Sequence, residues 1–201
     1  MFTEGKGLRS PKPERVVLCE FERSLVNAIA NVFAAKHHYV RSSNAWTKGL
    51  TEDPFYVGLC GEYAFQKYVN GKDSILSMHS YYLTGRGDLG FDFRFGKHTI
   101  DVKTSTTGHD LLVRRVSDKS HIVRCADYIV KCFWDEKTGT ATLNGYVCTR
   151  NIEGSFKRSP YGHFNLVFSP CQLEPIATLR KMIRQWHKSD TQEASIGSGT
   201  A

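Results

Sequence analysis

Within the stretch GDLGFDFRFGKHTIDVKTS (87–105), Asp92, Asp101 and Lys103 fall at spacings that can gather oxygen ligands and a cation in one place. Phe91, Phe93 and Phe95 alternate with Asp92 and Arg94, and Ile100 and Val102 alternate with Thr99, Asp101 and Lys103. Each set predicts a half-buried strand. Gly96-Lys97 suits a two-residue hairpin turn, with the glycine supplying positive φ. Counting back from it pairs Phe95 with His98, Arg94 with Thr99, Phe93 with Ile100, and Asp92 with Asp101. The two carboxylates then face each other with Cβ atoms roughly 4.5 to 5.5 Å apart, and Lys103 shares their face. Like charges placed so are destabilising, and one lysine offsets only part of the repulsion. A hard divalent cation such as Mg²⁺, held by one or two carboxylates with waters and phosphate oxygens, fits this count. Polar residues on the exposed face of a hairpin are ordinary, and D-x-K alone is a common tripeptide. The aligned second aspartate and an upstream glutamate, Glu62, weigh toward a site.

Flanking elements must position these residues. GLCGEYAFQKYVNG (58–71) predicts a helix with Gly61, Ala64, Phe65 and Tyr68 on its apolar face and Asn70-Gly71 as its stop signal. Glu62 projects from the edge of that face, on the side of Phe65 and Val69. FERSLVNAIANVFAAK (21–36) predicts an amphipathic helix through Leu25, Ile29, Val32 and Phe33, with a loop over 38–56. Strand character follows in LLVRR (111–115), ADYIVKCFW (126–134), TLNGYVCTR (142–150) and HFNLVFS (163–169). Turn signals at 135–139 and 159–162 separate these segments. LEPIATLRKMIRQWHK (173–188) predicts a closing helix with Pro175 in its first turn and Arg180, Lys181, Arg184 and Lys188 outward. The expected fold is an α/β or α+β domain, a mixed central sheet flanked by helices, over residues 19–188. A flexible arm (1–18) precedes it and a disordered tail (189–201) follows.

The 201 residues suffice for one domain. No apolar run approaches the roughly 18 to 20 residues of a membrane span, and the N-terminus lacks the apolar core of a signal peptide. The expectation is a soluble, cytoplasmic protein without a membrane partner. Six widely spaced cysteines with no CxxC predict reduced thiols. A net charge of +7 suits a polyanionic partner, nucleic acid first.

Asp92, then Asp101-Val-Lys103, preceded by Glu62 within GLCGEYAF, resembles the PD-(D/E)xK nuclease superfamily, phage and bacterial members above all. The resemblance covers about residues 57 to 134 well and extends more loosely to about 188. It implies a restriction-endonuclease-like core and Mg²⁺- or Mn²⁺-dependent hydrolysis of DNA phosphodiester bonds, by an endonuclease acting on double-stranded, branched or nicked DNA. By this resemblance Asp92, Asp101 and the backbone carbonyl of Val102 ligate the ion, Glu62 binds it directly or through water, and Lys103 serves the attacking water or the scissile phosphate. Asp88 in GDLGFD is a rival first acidic position or a further ligand. Phe91 stands at the nominal proline and Asp101 where Glu is commoner. Many relatives cut as dimers, so a homodimer is within the expectation. A threaded nucleic acid would meet Thr104, Ser105, Lys67, Arg94, Arg114 and Arg115. The alternative is a catalytically silent nucleic-acid-binding module on the same fold, since fold alone does not license function.

Overall fold

The computed structural model describes residues 10–36, 53–71, 91–107, 110–114, 126–151, 155–158 and 164–196. In chain order the elements are β1 (Glu14–Val17), α1 (Glu20–Lys36), α2 (Pro54–Asn70), β2 (Phe93–Phe95), β3 (His98–Ser105), β4 (Leu111–Arg114), β5 (Tyr128–Asp135), β6 (Thr140–Cys148), β7 (Ser155–Arg158), β8 (Phe164–Phe168) and α3 (Ile176–Ile196). A five-stranded sheet runs β1-β6-β5-β3-β2, and a three-stranded sheet runs β4-β8-β7. In the larger sheet β3 and β5 are parallel and the other neighbours antiparallel. This is the mixed sheet with flanking helices that the element order predicts.

Alternation in β3 and β5 decides what each face of the larger sheet buries. Ile100, Val102, Val130, Cys132 and Trp134 pack with Val57, Cys60, Ala64 and Phe65 of α2 and with Ile176, Leu179 and Ile183 of α3 in one core. On the opposite face Ile129 and Val147 join Leu111, Val113, Leu166 and Phe168 of the smaller sheet in a second core. Asp101, Lys103 and Ser105 belong by alternation to this second face. The parallel register sets Asp101 beside Ile129 and Lys103 beside Lys131. The Trp186 ring of α3 stacks on His98 with centroids 4.1 Å apart, holding α3 to the start of β3.

Several boundaries differ from the sequence reading. α2 begins at Pro54, inside the expected loop, because the Asp53 carboxylate accepts the Phe55 N–H at 2.9 Å and Pro54 occupies the first turn. Residues 14–17 are not part of a free arm. They pair with Thr140–Leu143 as an edge strand, an outcome that depends on a partner far along the chain. α3 runs on through Ile196, past the expected start of the tail at Ser189, since no glycine or proline interrupts the sequence before Gly197. The tight turn of the β2–β3 hairpin forms as expected, with Gly96 at φ 58°. Among the described residues Cys19, Cys60, Cys132, Cys148 and Cys171 are free thiols. No helix among them is long and apolar enough to cross a membrane.

Candidate metal and nucleic-acid site

The hairpin register matches the count from the turn for three pairs, Phe95 with His98, Arg94 with Thr99 and Phe93 with Ile100. The ladder then stops, so Asp92 and Asp101 are not a ladder pair. The Asp92 N–H donates to the Ile100 carbonyl at 2.9 Å, the residue that Phe93 already faces. Its carboxylate accepts the Val102 N–H at 2.6 Å. A side chain thus takes the place of the backbone partner that β2 would have provided. In a strand the N–H and C=O of one residue point to the same side, so the Val102 carbonyl also faces this edge, beyond the end of β2.

Helix α2 brings Glu62 to the same edge. Phe65, one turn further along, packs on Phe93 with ring centroids 5.3 Å apart, which sets the preceding turn of α2 beside Asp92. The close approach behind this depends on Gly61: a Cβ there would overlap the Thr104 hydroxyl. Burial raises the Asp92 carboxyl well above the usual carboxylate range, and the charges of Glu62 and Asp101 push it the same way. The Val102 N–H and the Lys103 charge oppose them without prevailing. Asp101 is 7% exposed and Glu62 9%. Lys103 Nζ lies 2.7 Å from one Asp101 carboxylate oxygen and 2.8 Å from the other, with half its side chain in solvent.

Glu62, Asp101 and Lys103 thus all lie near enough to Asp92 for their charges to act on it. Among the described residues no group of three or more His, Cys, Asp or Glu is arranged to hold a metal ion by itself. The donors at the edge are carboxylate and carbonyl oxygens, hard ligands that suit Mg²⁺ or Mn²⁺ in the manner of an ion retaining waters and phosphate oxygens. On that chemistry they fit such an ion.

The expected nucleic-acid contacts separate. Thr104 turns away from the carboxylates toward Gly61, its hydroxyl enclosed by α2, and does not offer itself to a phosphate. Lys67 is also withdrawn: its Nζ donates to both Glu22 carboxylate oxygens at 2.8 Å and to the Val17 carbonyl at 2.9 Å. Arg94 is exposed with its guanidinium 5.0 Å over the Phe91 ring. Arg180 covers the Tyr68 ring at 4.6 Å, so it belongs to the α2–α3 contact, while Lys181 and Arg184 are exposed. Arg114 ends β4. Asp88 and Arg115 lie outside the described residues. Ser105 remains on the Asp101–Lys103 face, where it meets a residue the sequence reading missed. Lys131, 3% exposed, donates from Nζ to Ser105 Oγ at 2.6 Å. Its signal was legible, as a lysine inside the apolar run YIVKCFW of a central strand.

No protein-family model, curated protein or solved structure matches this chain.

Proposed function

We propose that the chain is a Mg²⁺- or Mn²⁺-dependent deoxyribonuclease, an endonuclease of the cytoplasm that hydrolyses DNA phosphodiester bonds. The observation that carries this reading is the geometry of one sheet edge: the Asp92 carboxylate takes the Val102 N–H at 2.6 Å, Asp101 holds Lys103 at 2.7 Å, and the charges of Glu62 and Asp101 both act on Asp92. Gathering negative charge at one enclosed sheet edge opposes folding, and a bound divalent cation relieves it. Asp92, Asp101 and the Val102 carbonyl would hold the ion, with Glu62 beside them. Such an ion, when bound, would supply charge stabilisation at phosphorus and help activate the attacking water. Lys103, whose Nζ donates to Asp101 at 2.8 Å, would orient the attacking water or neutralise a phosphate oxygen. The basic balance of the chain favours the polyanionic substrate. One observation favours the silent binding module as the second reading: Lys103 Nζ is engaged with both Asp101 carboxylate oxygens.

Incubating supercoiled plasmid and a linear fragment with Mg²⁺, Mn²⁺ or EDTA tests the proposal. Cutting is expected with either metal and not with EDTA, and conversion of the circle marks endonucleolytic action. Asp101→Ala and Lys103→Ala are each expected to lower the rate by about 10² or more. Wild-type protein that shifts DNA on a gel and leaves it intact would transfer the assignment to the binding module.

A further inference from the structure

Lys131 and Lys103 are register partners in the parallel pair β3–β5, so both rise from one face of the sheet. Their surroundings differ. Lys103 has the Asp101 carboxylate at contact distance. Lys131 is enclosed, and among the described residues the Ser105 hydroxyl is its hydrogen-bond partner. Burial lowers the affinity of Nζ for its proton, and the fields of Cys132 and Asp110 oppose it without prevailing. An enclosed ammonium without a carboxylate in contact is costly. The ladder is also irregular here: Lys131 faces Gly145 while Cys132 faces Leu143, leaving Asn144 as the extra residue of a bulge. Bulges of this kind re-aim side chains and cluster near functional sites. Gly145 brings no side chain against Lys131.

An ammonium group only donates. When Lys131 donates to Ser105 Oγ, it engages a lone pair and leaves the serine O–H to donate elsewhere. Among the described residues no acceptor takes that proton. Ser105 is half-buried at the end of β3, two residues beyond Lys103 on the same face. A directed hydroxyl with a cation behind it is built to meet an anion.

We propose that Ser105 binds a backbone phosphate of the DNA adjacent to the one that is cut, and that Lys131 is the positioning residue that aims its hydroxyl. The inference rests on the nuclease reading. It is tested by fluorescence anisotropy with a short fluorescein-labelled DNA duplex, in EDTA and again in Ca²⁺, alongside cleavage of the same duplex in Mg²⁺. Ser105→Ala and Lys131→Met are each expected to weaken binding about tenfold, the loss of one hydrogen bond to a charged group, and Ser105→Thr to restore it. The double variant Ser105→Ala/Lys131→Met is expected to bind no worse than either single one, because Lys131 acts through the hydroxyl. Thermal melts confirm that each variant is folded, and Lys131→Gln is a second replacement should the methionine disturb the strand. If the single variants bind as wild type does, or if their effects add in the double variant, the inference is overturned while metal-dependent cutting by wild type leaves the nuclease reading standing. Wild-type protein that neither binds nor cuts the duplex removes both.

Discussion

Asp92 and Glu22 show how two enclosed carboxylates of one chain come to opposite states. Burial pushes both upward. Around Asp92 the neighbours are two more carboxylates, which add to that push. Around Glu22 they are donors: Lys67 Nζ at 2.8 Å, the Cys19 N–H at 2.7 Å and the Tyr63 hydroxyl at 3.0 Å. Together these outweigh burial and hold Glu22 below the usual carboxylate range. A depressed folded-state value means that Glu22 stabilises the fold above its unfolded value and loses that contribution as pH falls through the folded one. Glu22→Gln is therefore expected to cost about 1–3 kcal/mol at pH 7, where charged hydrogen bonds are lost. The gap to wild type should close toward about pH 3, as the wild-type carboxylate itself takes up a proton. Urea unfolding at both pH values measures it, and an equal gap at the two would remove the ionised clamp from the account. Lys67, expected from sequence as a phosphate contact, is engaged by Glu22, a partner 45 residues away that local patterning does not reveal. By contrast, Asp101 and Lys103 were legible because alternation along a strand fixes their shared face without reference to the rest of the chain.

Between elements, the contact that matters for the site is α2 on β3. Gly61 faces Thr104 with no room for a Cβ, and Phe65 packs on Phe93. These two contacts set how far Glu62 stands from Asp92, although neither residue pair carries any chemistry. Gly61→Ala is expected to force α2 off the strand, at about 1–3 kcal/mol of overpacking strain, and to lower cleavage along with stability. Melting curves and cleavage rates of that variant check both, and a variant that keeps wild-type values would show that α2 does not approach β3 so closely. A turn signal sufficed to set the hairpin register as far as Phe93 and Ile100. It could not show that the Asp92 carboxylate would take the Val102 N–H and end the ladder, since that exchange of backbone for side chain leaves no trace in the alternation. Asp53-Pro54, in contrast, is a helix start that the sequence does carry.

Across the whole molecule, what sequence patterns could not convey is closure by distant segments. β1 has only four residues, too few for alternation to stand out, and it is a strand because β6 pairs with it. Its neighbourhood is tied in several ways. Val16 and Leu18 are buried in the main core, the Leu18 N–H donates to the Gly139 carbonyl at 2.9 Å, and the Val17 carbonyl accepts from Lys67 of α2. Each buried aliphatic side chain contributes about 1.5–3 kcal/mol, against a total of about 5–15 kcal/mol for a domain. Deleting residues 1–18 also bares the edge of β6, and an unpaired edge is a template for association with other chains. The shortened protein is therefore expected to lose its cooperative thermal transition or to aggregate, and with it any cleavage, although the deletion removes none of Glu62, Asp92, Asp101 and Lys103. Circular-dichroism melts with size-exclusion chromatography decide the point. A shortened chain that melted like the full one would mean that β2, β3, β5 and β6 close the fold alone, and that the Glu22–Lys67 clamp does not depend on the strand it rests against.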